Sequence, residues 1–255
     1  MSHLQGGDER AIGVEVIDGA ELAWKTNQPQ TTDFYDPHQV KVAKSILDSV
    51  PEVSFLSFGG YRQAERNRLV IYPQMYLMET IASPVAVLEA QGNFQFQEIS
   101  HRDCLGSILS TGIKRDKVGD IIVTDTGCQV VVAAELSEYL QAQWTQIHNT
   151  PVVVKEIDEG QIAVEPERVK EIKTTVPSLR LDAVASSGFG TSRTRRAREI
   201  KAERLKVNWK TVNSASYVVE EGDVISIRGR GRVIVEKVTG QTRKGRLGLL
   251  LKRLM

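Results

Sequence analysis

The chain is short of cysteine, short of aromatic side chains and without a long apolar run, and each shortage removes a class of protein. Two cysteines in 255 residues, Cys104 and Cys128, exclude a disulfide-built scaffold and suit a reducing compartment; they stand at no metal-ligand spacing. The four histidines, His3, His38, His101 and His148, include no pair one helical turn apart, so no metal is expected. No stretch approaches the ~18 apolar residues of a membrane-spanning helix. The opening Met1-Ser2-His3-Leu4-Gln5-Gly6-Gly7 lacks the basic-then-apolar order of a signal peptide. The expectation is a cytoplasmic chain with no membrane insertion. No segment repeats, and none is of low complexity. A nucleotide-binding loop between strand and helix is also missing, because Gly188-Phe189-Gly190 follows a helical stretch. His101-Arg102-Asp103 echoes a kinase catalytic loop without that enzyme's other signatures, and reads instead as the cap of a helix. No cofactor is expected.

What the sequence has is charge, and the charge is segregated. Residues 177–255 carry 18 Lys+Arg against 7 Asp+Glu, a net of +11, whereas residues 1–176 carry 15 against 25, a net of −10. The formal net charge of +1 conceals these opposed blocks. A basic block of this density calls for a polyanion, since like charges in a compact domain repel until counterions or phosphates neutralise them. Its arginines fall in two runs, Ser192-Arg193-Thr194-Arg195-Arg196-Ala197-Arg198 and Arg228-Gly229-Arg230-Gly231-Arg232. Hydrophobic content of 41% and charged content of 25% are those of a folded protein with room for two or three domains.

Periodicity and turn residues divide the chain into four parts and an α+β class. Residues 1–80 read as a small α/β unit. Its first thirty residues are polar with a mobile start. A helix over 38–50 opens at Asp36-Pro37, a strand covers 53–58, a short helix 63–67 and a strand 69–72. Residues 81–158 read as β-α-β-β-α-β, a ferredoxin-like, RRM-like sheet. The strands are 85–89, 121–124, 128–132 and 152–154, the helices 102–111 and 135–147, with 94–99 a further β-like edge. Phe94 and Phe96 read as core, and the aromatic signature of an RNA-reading sheet is missing. Residues 159–176 read as part of a charged connector. Residues 177–255 read as a helix 179–186, a helix from Ser192 to about Ala202, and strands 205–209, 216–219, 224–228, 233–238 and 247–251.

Within the last part, Ala197 and Ile200 are expected to face the core, and arginine covers the rest of the second helix. The planar guanidinium suits phosphate and stacks on bases. The expected RNA-contacting residues are Arg193, Arg195, Arg196, Arg198, Lys201, Asn208, Lys210, Arg228, Arg230 and Arg232. A second basic island, Lys114, Arg115 and Lys117, could contact RNA too. Arg180 with Asp182 reads as a local structural pair, Asp223 as a turn residue, and Glu65, Arg66 and Asp116 as surface charges. The ordered set Leu179-Arg180-Leu181-Asp182, Ser192-Arg193, Ile200-Lys201, Val207-Asn208-Trp209-Lys210 and Glu221-Gly222-Asp223-Val224-Ile225-Ser226-Ile227-Arg228-Gly229-Arg230-Gly231 resembles the S-four RNA-binding domain. In that family the second helix and the adjoining strand and loop face structured RNA. Trp209 stands where that module often has a small residue such as glycine.

Upstream, Thr32-Asp33-Phe34-Tyr35-Asp36-Pro37, Gly59-Gly60-Tyr61, Ala64-Glu65-Arg66, Ile71-Tyr72-Pro73 and the run from Gly112 to Ile121 resemble the bacterial YlmH family, in its cyanobacterial and plastid branch called the photosystem II S-four domain protein. The resemblance implies an RNA-binding protein, and the expectation is that it is non-catalytic and monomeric. Its partners would be rRNA or tRNA on the large ribosomal subunit, with a role in ribosome-associated quality control. Two alternatives stand beside it: an adaptor in photosystem II biogenesis, and an RNA-modifying enzyme with an unrecognised site. The Arg-Leu-Asp of residues 180–182 resembles that of pseudouridine synthases, but in those enzymes the catalytic domain follows the module, and too few residues follow Arg232 to supply one.

Overall fold

The computed structural model describes residues 7–94, 98–164, 169–243 and 245–254. Phe96 and the expected mobile start therefore lie outside or partly outside the described residues. The chain divides into two compact units, Met1–Val164 and Glu165–Met255.

The first unit opens with a helix that periodicity did not reveal, α1 (Gly7–Thr26). Its buried stripe is Ile12, Val16, Ala20 and Ala23 at helical spacing, while Val14, Leu22 and Trp24 lie exposed on other faces and blur the pattern. After β1 (Gln30–Thr31) comes α2 (Pro37–Leu47), which starts as read. Asp36 accepts from the Gln39 N–H at 2.9 Å, and the Gln39 side chain accepts from the Asp36 N–H at 2.8 Å. β2 (Val53–Phe58) and β3 (Arg68–Pro73) complete a three-stranded sheet of order β1-β3-β2. The expected helix at 63–67 is instead a run of turns and bends. Asp120 organises it, accepting from the Tyr61 hydroxyl at 2.8 Å and the backbone N–H groups of Glu65 and Arg66 at 2.7 and 3.2 Å.

The middle of this unit runs β4 (Val85–Gly92), α3 (His101–Ser110), β5 (Val118–Thr124), β6 (Gly127–Ala133), α4 (Ser137–Gln143), β7 (Gln146–Ile147) and β8 (Thr150–Ile157). The sheet order β5-β6-β4-β8-β7, antiparallel throughout, is the ferredoxin-like arrangement with one added edge strand. Asp103 caps α3, accepting from the Ser100 N–H at 2.9 Å. The helix expected over 135–147 is shorter, because the chain turns at His148 (φ +53°) to pair β7 with β8. One sheet face packs on the helices through Leu88, Val130 and Val132. The other face, through Val85, Val131 and Ala133, packs on Phe34, Phe58 and Tyr61 of the preceding segment. The buried Arg68 ties the same two segments, donating to Glu135 at 2.8 and 3.0 Å and to the carbonyls of Thr32 and Pro84.

The second unit is built on a six-stranded antiparallel sheet with two short helices. In chain order it comprises β9 (Val169–Val176), α5 (Leu181–Phe189), α6 (Arg193–Lys201), β10 (Leu205–Val207), β11 (Lys210–Thr211), β12 (Val224–Ile227), β13 (Gly231–Gln241) and β14 (Leu247–Leu254). The sheet order is β11-β10-β12-β13-β14-β9. Two readings are corrected. α5 does not stop at Ser187-Gly188: it runs to Phe189 and ends at Gly190 in the left-handed region (φ +64°). Gly188 stays inside the helix because a Cβ there would meet the Val233 side chain at 2.7 Å. Residues 216–219 form no strand, only a single bridge from Val218 to Arg180.

The latter part of the expected connector is β9, which pairs along its whole length with β14. Its charged side chains alternate with Ile172, Thr174 and the buried Val176, so one face reaches the core while the other stays wet. A fragment of residues 177–255 should therefore unfold more readily than one of residues 165–255. Losing the Val176 burial and a full edge ladder should cost roughly 2 kcal/mol or more. Denaturant unfolding of the two fragments checks this; equal midpoints would mean that β9 adds nothing to the unit.

Candidate nucleic-acid interface

The basic face is assembled from α6, the β10–β11 turn and the β12–β13 turn. α6 begins at Ser192, whose hydroxyl accepts from the Arg195 N–H at 3.3 Å. Its nine residues contain only Ala197 and Ile200 as apolar side chains. Ile200 is buried as expected, but the residue one turn before it on the same face is Arg196, and Arg196 is 0% exposed. Ala197 is only half-buried. With so little apolar material on a short helix, the Arg196 methylene stem fills the core-facing position and its guanidinium must be satisfied inside. It pairs with Glu199, donates to Thr191 Oγ1 at 2.6 Å and lies 5.1 Å from the centre of the Phe189 ring. Arg196 is thus an internal anchor and not the surface residue expected.

Glu199 is the carboxylate on which this face turns. Besides Arg196 it receives Arg195 Nε at 3.4 Å and lies 3.8 Å from Arg230 Nη2. Arg253 of β14, which sequence reasoning did not single out, approaches the Phe189 ring from 5.6 Å. The Nε atoms of Arg196 and Arg253 are buried with no hydrogen-bond partner among the described residues. Burial pushes the Arg196 guanidinium below its ordinary pKa; Glu199 opposes the shift, and Arg230, Arg195 and Arg253 add to it. Three guanidinium groups, those of Arg195, Arg196 and Arg230, therefore gather around one carboxylate with Arg253 close to Arg196, leaving an excess of positive charge where an anion would be stabilised.

The other expected residues divide. Arg198, Lys201 and Arg228 are exposed and make no ion pair among the described residues. Arg193 stands at the rim, donating to Asp182 Oδ2 at 2.8 Å while Arg180 Nε donates to Asp182 Oδ1 at 3.2 Å. The local Arg180–Asp182 pair is present, with Arg193 recruited to it. Burial alone would raise the Asp182 pKa, but the two arginines outweigh it and hold the carboxyl below its usual range. Asn208 is held by its own fold. Its Nδ2 donates to Asp223 Oδ1 at 2.7 Å, and its Oδ1 accepts from the Val224 N–H at 2.9 Å. Asp223 is a turn residue, as expected. Lys210 is exposed and Arg232 half-buried, with Arg232 Cζ 5.9 Å from the Trp209 ring centre.

The second basic island does not stand apart as a surface patch. Lys117 pairs with Asp33 and lies 3.7 Å from Glu135. Arg115 donates to the carbonyls of Val118 and Gly119, and burial, with Arg66 nearby, lowers its pKa to about 10. Arg66 is likewise turned inward, donating to the carbonyls of Phe34 and Val118 at 2.7 and 3.1 Å. Only Lys114 of the island is exposed. Lys117 and Arg66 thereby close the seam between the α1–β3 segment and the middle sheet, while Arg115 is held within the middle segment itself.

These placements separate anchor from surface. Arg196→Ala should lower stability by about 2–4 kcal/mol, because it opens the core and strips Glu199 of its closest partner. Arg196→Met should recover part of that loss through the retained stem. Thermal unfolding of the two variants checks it; a wild-type melting temperature for Arg196→Ala would return Arg196 to the surface.

Comparison with known proteins follows the same division of the chain. Residues 9–76 match the family model "YlmH, N-terminal", residues 83–161 match "Putative RNA-binding domain in YlmH", and residues 179–225 match the S4 domain. A Bacillus subtilis protein named ribosome-associated protein quality control protein P2 is 33% identical over 246 residues, spanning 96% of this chain and 95% of its own. The small ribosomal subunit protein uS4 of Desulfotalea psychrophila is 39% identical over 70 residues, 26% of this chain and 33% of its own. A solved structure titled cell division protein ylmH, from Streptococcus pneumoniae, aligns with a TM-score of 0.52 at 23% identity, covering 62% of this chain and 96% of that one, and so shares the fold. With its three segments matched in order and a relative aligned end to end, the chain belongs to the YlmH family.

Proposed function

We propose that this chain is a non-catalytic RNA-binding protein that grips structured RNA, ribosomal or transfer, with the basic face of residues 193–232. The observation that carries the reading is the excess of guanidinium groups around Glu199, flanked by the exposed Arg198, Lys201 and Arg228. Such a face binds phosphate through charge-assisted hydrogen bonds and released counterions. The first unit, whose residues 83–161 match a putative RNA-binding domain, uses its sheet face differently. The sheet face that an RRM uses to read bases is covered there by Phe34, Phe58 and Tyr61. Asp120 of the same unit spends its oxygens on Tyr61 and on the backbone of Glu65 and Arg66. Among the described residues no group of three or more His, Cys, Asp or Glu could hold a metal, and no helix is long and apolar enough to cross a membrane. The name of the Bacillus relative, a ribosome-associated quality control protein, supports extending the reading to the ribosome and quality control, and the proposal takes the large subunit and a cytoplasmic setting with them.

Two measurements test this. Binding of the full chain to ribosomal RNA should weaken with salt on a log–log slope near −3 to −5, as roughly four to six phosphate contacts require. Replacing Arg198, Lys201 and Arg228 together by Ala should flatten that slope by about 2, at unchanged melting temperature. The protein should sediment with large subunits at low salt and leave them at high salt, with no response to ATP or GTP. Salt-independent binding, or an unaltered slope in the triple variant, would contradict the assignment.

A further inference from the structure

β10 and β11 are joined by a two-residue turn, Asn208-Trp209, across the pair Val207 and Lys210. Both turn residues lie in the left-handed region, Asn208 at φ +49° and Trp209 at φ +64°. That is the geometry of a type I′ hairpin turn, in which asparagine followed by glycine is the favoured pair. Asn208 satisfies the rule, and its side chain is clamped by Asp223 and Val224. Trp209 breaks it, since a bulky side chain at positive φ is an outlier that costs free energy. Core packing does not account for the choice: among the described residues Trp209 is half-buried and lies outside the apolar core of its unit. The guanidinium of Arg232 of β13, on the same basic face, lies 5.9 Å from its ring centre.

We propose that Trp209, backed by Arg232, is a stacking site for an unpaired nucleobase of the bound RNA. The proposal rests on the RNA-binding reading above and adds to it a preference that phosphate contacts cannot supply. An indole accepts any base on its π-face, and a guanidinium beside the ring strengthens both stacking and phosphate contact. A tight turn held by Asn208 and Asp223 presents the ring on a rigid mount, so little order is lost on binding. The exposed Lys206 lies on β10, which leads into this turn, and the exposed Arg228 lies in the turn after β12, the strand paired with β10; both can neutralise the phosphates that flank the base.

The test compares the full-length wild type with Trp209→Gly and Trp209→Phe on two RNA probes, a stem-loop with an unpaired loop and a fully paired duplex of the same length. Trp209→Gly should bind the stem-loop roughly tenfold or more weakly, because it removes the stack. It should bind the duplex within about twofold of wild type, and melt at the same or a higher temperature, because glycine suits the turn. Trp209→Phe should keep most of the stem-loop affinity. Wild-type stem-loop affinity in Trp209→Gly, or an equal loss on both probes, would overturn the stacking site and leave the RNA-binding reading standing. A lower melting temperature in Trp209→Gly would show a packing role and overturn it as well. Failure of the wild type to bind either probe would refute both.

Discussion

Burying an arginine sets the terms for the whole basic face. A nine-residue helix with two apolar side chains cannot cover a core by itself, so the stem of Arg196 does part of that work and brings its charge inside. A buried guanidinium is tolerated only if paired and hydrogen-bonded. Glu199, Thr191 and the Phe189 ring meet that need, and each is fixed by the turn between α5 and α6 or by α6 itself. Once Glu199 is committed to Arg196, it cannot neutralise Arg195 and Arg230 in full. The positive excess on this surface is a consequence of how the helix is attached.

The first unit uses charge in the opposite sense. Arg68, Arg66 and Lys117 are drawn into carbonyls and carboxylates that join the α1–β3 segment to the middle sheet, and Arg115 into carbonyls of β5. The same seam buries one face of a ferredoxin-like sheet under aromatic side chains. One face of the RRM-like topology there is a packing surface, which favours the proposal that the exposed cations of the second unit are the phosphate-binding material.

Elements with a clear period or a marked cap were readable from sequence, and those whose pattern was blurred or compensated were not. The capped helix after Asp36, the neighbouring strands 121–124 and 128–132 and the order of the middle strands follow from periodicity and turn chemistry. The ordered motifs of the C-terminal part and the upstream YlmH motifs carried the family. α1 escaped because its buried stripe is narrow and its exposed faces carry Val14, Leu22 and Trp24. β9 escaped because lysine and glutamate mask an alternation of Ile172, Thr174 and Val176 that was nevertheless there to be seen. Arg196 was assigned to the surface because residue type outweighed spacing; its register with Ile200 and the Glu199 three positions on were the available signals. Arg253 had no local signal, since its place beside Phe189 exists only once β14 has paired with β13. The photosystem II branch of the resemblance has no counterpart in the comparisons, which stop at the YlmH family.

The central claim is that RNA lies on the α6, β10–β11 and β12–β13 face of the second unit. Ultraviolet crosslinking of the full-length protein to ribosomes, followed by mass spectrometry of the nucleotide-bearing peptides, tests it most directly. The account predicts adducts within residues 193–210 and 228–232, with Trp209 or its neighbours among them. Adducts confined to residues 7–164 would contradict it, and would move the interface to the unit whose cations are here assigned to internal contacts.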